Sequence, residues 1–533
     1  MMTDSTTRDR AAESANVEGP RIADLVEAAA ALRPSAAALV IGADRTPVSY
    51  RELVGAMEDV AEQLRHGGLA PGDRVGLRAG SNAEFVVGLL GASRAGLVAV
   101  PLDPALPVSE QRTRIEAAGA RVVLVDGTGP GDRREPTLRC WPIAVTVRRG
   151  AHDGAVTAHV QATAAPVADV SAPEGLRDDD AMIMFTGGTT GVPKMVPWTH
   201  HNIASSVRAV AAGYELGPAD STVAVMPLYH GHGLIAALLA TLISGGRVLL
   251  PARGRFSAHT FWDDIAAVRA TWYTAVPTIH QILLERAKTE QPATPHAALR
   301  FIRSCSAPLT AETAQALQAT FSAPVVCAFG MTEATHQVAT TRPDAGENPA
   351  ATPGLVGGST GPEIRIVGAD GQPLAAEEVG EVWLRGPTVV RGYLGDPAIT
   401  AANFTDGWLR TGDLGSLSAA GDLRIRGRIK ELINRGGEKI SPERVEDVLA
   451  SHPNVLEVAV FGLPDTMYGE TVAAVIVPRE APAPTAAELA VFCRERLAAF
   501  EVPTTFEEAG ALPHTAKGSL DRRAVVDQFA RRA

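Results

Sequence analysis

Apolar and polar positions along this chain change period repeatedly, and the order of those changes predicts an architecture. From about Arg21 to Gly127, stretches with helical spacing such as SYRELVGAMEDVAEQL alternate with the short apolar runs DRVGLRAG, GLVAVPLDP and ARVVLVDG, the pattern of parallel β/α winding. A Pro/Gly/Arg-rich stretch over about 128 to 178 interrupts it and reads as irregular surface. A second β/α series follows, with strand-like DDAMIMFTGG, STVAVMPLYH, GGRVLLPA, ATWYTAVP, LRFIRSCSAPL and APVVCAFGMTE separated by amphipathic segments. After Gly354 the texture becomes short strands and turns, a small β-barrel or sheet module. Beyond Gly427 a compact α+β region carries its own helices, SPERVEDVLASHP and TAAELAVFCRERLAAF. The expected fold is α/β: a large domain over 21–427, built of two β/α subdomains plus a small β-barrel, and an α+β domain over 428–533. Residues 1–20 are expected to be a disordered tail.

Ligand loops of open parallel sheets lie beyond the carboxyl ends of the strands. Four polar loops follow strand-like runs here: MFTGGTTGVPKMV after AMIMF, PLYHGHG, SCSAPL and FGMTEATH. The first has glycines that expose backbone N–H groups, threonine hydroxyls and one lysine, the makings of a polyphosphate cradle. It is not a P-loop: counting from Gly188 the sixth position is Pro193, and Lys194 is followed by Met195, which lacks a hydroxyl.

Composition narrows the function. A chain of 533 residues with 46% hydrophobic and 20% charged content buries several cores. A formal net charge of -11 argues against nucleic acid as a partner. The richest apolar run, GLIAALLATLISGG, is too short for a membrane span and reads as a buried helix and a turn. The polar amino terminus has no signal-peptide pattern, so a cytoplasmic location is expected. Cys140, Cys305, Cys327 and Cys493 show no paired spacing, which suits a reducing compartment. Of the 49 basic residues only Lys194, Lys288, Lys430, Lys439 and Lys517 are lysines. All but Lys288 sit in Gly-rich or turn-rich stretches, where a compact ammonium has uses that arginine does not serve.

FTGGTTGVPKMV, PLYHGHG, FGMTEATH, GEVWLRGPTVVRGY, WLRTGDLG, GRIKELINRGGEKISPERVE and LPHTAKGSLDRR together resemble, in order and spacing, the acyl-activating AMP-forming ligases, the acyl-CoA synthetases. The resemblance covers nearly the whole chain from about residue 25. RFSAHTFWDDI, ATWYTAVPTIHQILLERA, LRFIRSCSAPL and MTEATH are most similar to oxalyl-CoA synthetases. It implies ATP, Mg and CoA as reaction partners and two half-reactions, acyl-adenylate formation with release of pyrophosphate and then transfer of the acyl group to the CoA thiol. By resemblance Thr186, Gly187, Gly188, Thr189, Thr190 and Lys194 hold the outer phosphates. Glu333, with Thr189, takes the magnesium ion, and Thr332 meets the inner phosphate. Phe329 stacks on adenine beside Ser306, Ala307, Pro308, Gly330 and Met331, while Asp413 accepts from the ribose hydroxyls with Arg428 assisting. Gly187 replaces a frequent serine and Met195 a frequent glycine. Lys430 marks an interdomain hinge, and Arg435, Gly436 and Gly437 meet the pantetheine arm once the carboxyl-terminal domain rotates.

The family's acyl pocket falls here on His230, His232, Arg303, Ser304, Ser306 and His336, a set rich in donors, where a long-chain acid would need apolar lining. That points to a small acid, oxalate first. A short hydroxy acid, another small dicarboxylate or a short fatty acid stays open. So do delivery of the acyl group to a carrier protein, and a non-catalytic ATP-binding scaffold. The chain is expected to work as a monomer or homodimer without a membrane. Near the carboxyl terminus the family's final catalytic lysine is replaced by Ser519, and Lys517, two residues earlier, is the candidate to serve in its place.

Overall fold

The computed structural model describes residues 19–127, 139–149, 154–168, 170–186, 193–290, 298–344, 352–515 and 520–529. Sequence expectations for residues 1–18, for the phosphate-loop residues Gly187, Gly188, Thr189 and Thr190, and for Lys517 and Ser519 lie outside them.

The first β/α series forms a 7-stranded sheet. Arg74–Arg78 runs parallel to Val98–Leu102 on one side and Ala120–Val125 on the other. Val98–Leu102 then pairs in parallel with Asp180–Thr186, which turns back antiparallel into Lys194–Thr199. The helix Tyr50–His66 starts at a capping box, with the Ser49 hydroxyl and the Glu52 carboxylate each serving the other's backbone N–H. It buries Tyr50, Leu53, Met57, Val60, Ala61 and Leu64, the stripe its period dictates.

One expectation is corrected. The stretch read as irregular between about 128 and 178 contains two long strands, Cys140–Arg149 and Gly154–Val160, paired antiparallel at the edge of this sheet. Trp141 and Ile143 point into the core, while Pro142, Ala144, Thr146 and Arg148 face solvent. The two-residue period was there, hidden among proline, glycine and arginine.

In the second series Trp272–Ala275, Phe301–Cys305 and Val325–Phe329 pair in parallel. Through Ala339–Thr340 and Leu355–Ser359 this sheet continues into the antiparallel strands Leu423–Arg428, Trp408–Leu417, Gly380–Arg385 and Glu363–Val367, so the small β module and the second β/α unit share one 10-stranded sheet. The apolar GLIAALL run is helical as expected, but His232–Leu239 winds as a π-helix before Ala240–Ile243 resumes α geometry. Such segments widen a helix and recur at functional sites.

The last unit has a 5-stranded sheet around Val455–Asp465 and Gly469–Pro478. It has its own core, with Ile433, Val445, Leu449, Val460, Val472, Ile476 and Leu489 at its centre. It touches the rest of the chain where the Ser441 hydroxyl donates to the Arg426 carbonyl at 2.8 Å and where Arg479 pairs with Glu312 at 3.3 Å. Among the described residues no helix is long and apolar enough to cross a membrane.

Candidate active site

The phosphate-loop candidates sit between two antiparallel strands, with Thr186 opposite Lys194 in register. A cluster of charge gathers at that point. The Lys194 ammonium lies over the ring of Tyr393, 4.6 Å from its centre, and the Tyr393 hydroxyl donates to Glu333 Oε1 at 2.8 Å. Desolvation holds the Lys194 ammonium below its ordinary pKa, with Glu333 pulling it up and Lys430 pushing it down. Burial, with the Glu333 carboxylate adding to it, raises the Tyr393 phenol, which therefore stays protonated and donating.

Glu333 is buried in the short 3₁₀ turn Thr332–Ala334. Trp198 Nε1 fixes the start of this turn by donating to the Thr332 carbonyl at 2.8 Å. Residues 330–337 fold back tightly on themselves: a Cβ on Gly330 would lie 1.5 Å from the His336 carbonyl oxygen. Thr186 Oγ1 is buried with no partner among the described residues, an orphan that a phosphate oxygen would satisfy. No three His, Cys, Asp or Glu side chains gather as a metal set among the described residues. One carboxylate beside a phosphate cradle is what Mg²⁺ asks for when it arrives on nucleotide phosphates, so the residues fit ATP and Mg.

Asp413 faces Arg428 across neighbouring strands, with Arg428 Nε 2.9 Å from Asp413 Oδ1. Burial outweighs the lowering by Arg428 and raises the Asp413 pKa to about 6, with repulsion from Glu333 and Glu443 adding a smaller share. Phe329 and Met331 are half-buried against the β-module core. Ser306 is exposed at the end of Phe301–Cys305, its backbone at φ +75°, a left-handed conformation that a serine rarely takes.

The acid-pocket candidates separate into two groups. Arg303 is fully enclosed on Phe301–Cys305. It donates through Nε to the Tyr214 hydroxyl at 2.9 Å, and through Nη1 to Thr274 Oγ1 at 3.0 Å. Its Nη2 donates to His336 Nε2 at 3.0 Å and to Gln337 Oε1 at 2.9 Å. The His232 and His336 rings stack with centres 5.3 Å apart, and His232 reaches Thr274 Oγ1 at 2.6 Å and Ser306 Oγ at 3.1 Å. His230 is half-buried and packs edge-on to Tyr229. Its loop meets the His336 loop at Gly231, where a Cβ would stand 3.1 Å from Trp198 and 3.3 Å from His336.

Ser304 is not brought to this group. Strand side chains alternate, so it points with Ile302 to the opposite face, where its hydroxyl is buried with no partner among the described residues.

Arg435 sits at the end of a short hairpin, Ile433–Arg435 with Glu438–Ile440, and lies over Tyr468 while donating to the Phe500 carbonyl at 2.7 Å. Gly436 and Gly437, with φ of +60° and +96°, form the turn, a conformation in which two positive φ values favour glycine. Tyr393, Tyr214, Thr274, Gln337 and Trp198 were not singled out from sequence. Tyr393 was visible within VVRGYLGD, whereas the other four carry no local signal and are gathered only by the fold.

Comparison with known proteins bears on this geometry. Residues 26–394 match the AMP-binding enzyme family and residues 444–519 its C-terminal domain. The oxalate–CoA ligase of Arabidopsis thaliana is 42% identical over 90% of this chain and 93% of that protein. The sulfoacetate–CoA ligase of Cupriavidus necator is 36% identical over 85% of this chain and 87% of that protein. The ATP-bound structure of MatB from Rhodopseudomonas palustris superposes with a TM-score of 0.80 at 28% identity, covering 95% of this chain and 99% of that one. The chain therefore belongs to the AMP-binding enzyme family, as an AMP-forming acid–thiol ligase that uses ATP, Mg and CoA.

Proposed function

We propose that the acid this ligase activates is oxalate or a similarly small dianion. The observation that carries the reading is Arg303. A guanidinium enclosed in the interior has no carboxylate partner among the described residues: it donates to Tyr214, Thr274, His336 and Gln337 and has the Cys305 thiol beside it. Buried charges are ordinarily compensated by an opposite charge, and an acid anion beside His336 and Ser306 supplies one. An apolar acyl tail would instead leave the enclosed charge of Arg303 uncompensated and the Ser306 hydroxyl without an acceptor. The names of the oxalate–CoA and sulfoacetate–CoA ligases, both acting on small doubly charged acids, support the same class.

In this reading Lys194 and the loop before it hold the outer phosphates of ATP, Glu333 takes the magnesium ion, and Asp413 with Arg428 holds the ribose. His230, His232, Ser306 and His336 surround the acid. Its carboxylate attacks the innermost phosphorus, giving acyl-adenylate and pyrophosphate, with no protein nucleophile. The unit over 428–533 then turns about Lys430 to bring Arg435, Gly436 and Gly437 to the CoA thiol. The separate match of residues 444–519 to a C-terminal domain supports that division.

The test is a panel of acids read by AMP formation with CoA present. Oxalate is expected to exceed acetate and hexanoate by at least about a hundredfold in kcat/KM, the scale of two lost hydrogen bonds to a charged group. Preference for hexanoate would overturn the assignment.

A further inference from the structure

The hydrogen bonds behind the pocket determine where protons sit. A guanidinium only donates. Its 3.0 Å contact therefore makes His336 Nε2 an acceptor, and a neutral His336 ring carries its proton on Nδ1. Burial, with Arg303 adding to it, keeps the His336 and His232 pKa values well below the ordinary range, so both rings are neutral.

The Thr274 hydroxyl accepts from Arg303 at 3.0 Å and has one proton of its own. If His232 Nε2 donated to that oxygen, the buried Thr274 proton would have no acceptor among the described residues. The arrangement that satisfies every group has Thr274 donating to His232 Nε2 at 2.6 Å and His232 Nδ1–H donating to Ser306 Oγ at 3.1 Å. Ser306 Oγ then accepts from His232 and keeps its own proton free to donate. Ser306 and His336 are also the residues held at φ +75° and +84°. Strain at both of these residues is a mark of functional shaping.

We infer that Arg303 is a positioning residue: enclosed behind the pocket, it sets the tautomers of His336 and His232 so that His336 Nδ1–H and the Ser306 hydroxyl proton both face an incoming carboxylate. This rests on the reading that a small acid anion occupies the pocket. The consequence is specificity without a direct salt bridge. The acid meets two neutral donors polarised by a charge one residue deeper, and Tyr214, Thr274 and Gln337 hold that charge in place.

The experiment begins with the wild-type enzyme labelled with ¹⁵N-histidine, its two-bond ¹H–¹⁵N imidazole signals assigned by their loss in His336→Gln and His232→Gln. Both rings are expected as neutral Nδ1–H tautomers near pH 7.5; an Nε2–H tautomer or an imidazolium in either overturns the inference. Thr274→Val then removes the hydroxyl while keeping the shape. His232 is expected to lose its single tautomer while His336 keeps its own, and KM for oxalate to rise about tenfold with kcat within about threefold. An unaltered His232 tautomer, or a KM that does not move, overturns the relay to Ser306. Because the spectra need no substrate, expected tautomers in an enzyme that ignores oxalate would overturn the choice of acid and not the role of Arg303.

Discussion

At the scale of single residues, Tyr393 does two jobs with two parts of one side chain. Its ring face meets the Lys194 ammonium and its hydroxyl ties one oxygen of Glu333; the other oxygen is the one the proposed magnesium ion would take. Partners that orient a metal-binding carboxylate are typically worth ten- to a hundredfold in metal affinity. Tyr393→Phe keeps the ring and removes the tie, so the Mg²⁺ concentration for half-maximal AMP formation is expected to rise about tenfold. Tyr393→Leu should raise KM for ATP as well, and a magnesium titration of both variants checks this. Asp413 gives a pH dependence. With a pKa of about 6, its carboxylate is lost on acidification, so if Asp413 accepts from the ribose hydroxyls as proposed, kcat/KM for ATP should fall tenfold per unit below about pH 6. Asp413→Asn should be slow and flat over that range. For stability the sign is opposite. Between the ordinary carboxylate value of 3.8 and about pH 6 the folded chain keeps a proton that the unfolded chain has released, so this group's contribution falls as pH rises through that window and is level above it. The motif residues Lys194, Glu333 and Asp413 were legible because their local sequence is distinctive. The environment of Arg303 was legible only in His336: Tyr214 and Thr274 come from two other segments, Gln337 follows His336 without a signal of its own, and burial is a property of the packed sheet, not of any short string.

Among elements, the loop before Tyr393 is fixed by a pair that spans 211 positions of sequence. Arg391 donates to both oxygens of Asp180, each at 2.6 Å, at the start of the strand leading to the phosphate loop, and the Leu394 N–H donates to the Met195 carbonyl at 3.0 Å. The antiparallel module thus delivers Tyr393 onto both strands of that hairpin. Asp180 is fully buried and Arg391 is 22% exposed. Arg391→Ala strands a buried carboxylate, and a loss of roughly 3 kcal/mol is expected in denaturant unfolding, the lower end for a broken buried pair. Equal stability would make the pair ornamental. The parallel series were legible because buried strands read as continuous apolar runs bounded by turns. The Cys140–Arg149 strand was missed because its inward residues are spaced by proline, alanine, threonine and arginine, a composition that weighs toward loop even where the period is two.

At the scale of the whole molecule the unsettled group is the cation that accompanies adenylation. The segment from Ala516 to Ser519 lies outside the described residues, but both ends of it are anchored on the last unit. His514 bridges Leu520, and Arg522 donates to both oxygens of Glu446 at 2.6 Å while pairing with Glu431 at 2.9 Å. Glu431 directly follows Lys430, so this ion cluster ties the base of the Lys517 segment to the proposed hinge, and the two should move as one body. Against the family pattern Ser519 removes the usual lysine. In extended chain, residues two apart project from the same side about 6 to 7 Å from each other, a gap that a flexible lysine stem can largely close. If Lys517 serves the first half-reaction, Lys517→Ala should lower acyl-adenylate formation by orders of magnitude, read as acid-dependent pyrophosphate release. Conversion of supplied acyl-adenylate and CoA to thioester should stay within a fewfold of wild type, because the proposed turn about Lys430 would take Lys517 from the site before the thiol attacks. Undiminished pyrophosphate release would sink the role. Loss of both half-reactions would assign Lys517 to the shared fold and not to the first step. A gain of rate in Ser519→Lys would mean that the enzyme adenylates its acid without a lysine bridging carboxylate and phosphate, leaving Lys194 and magnesium to carry the developing charge.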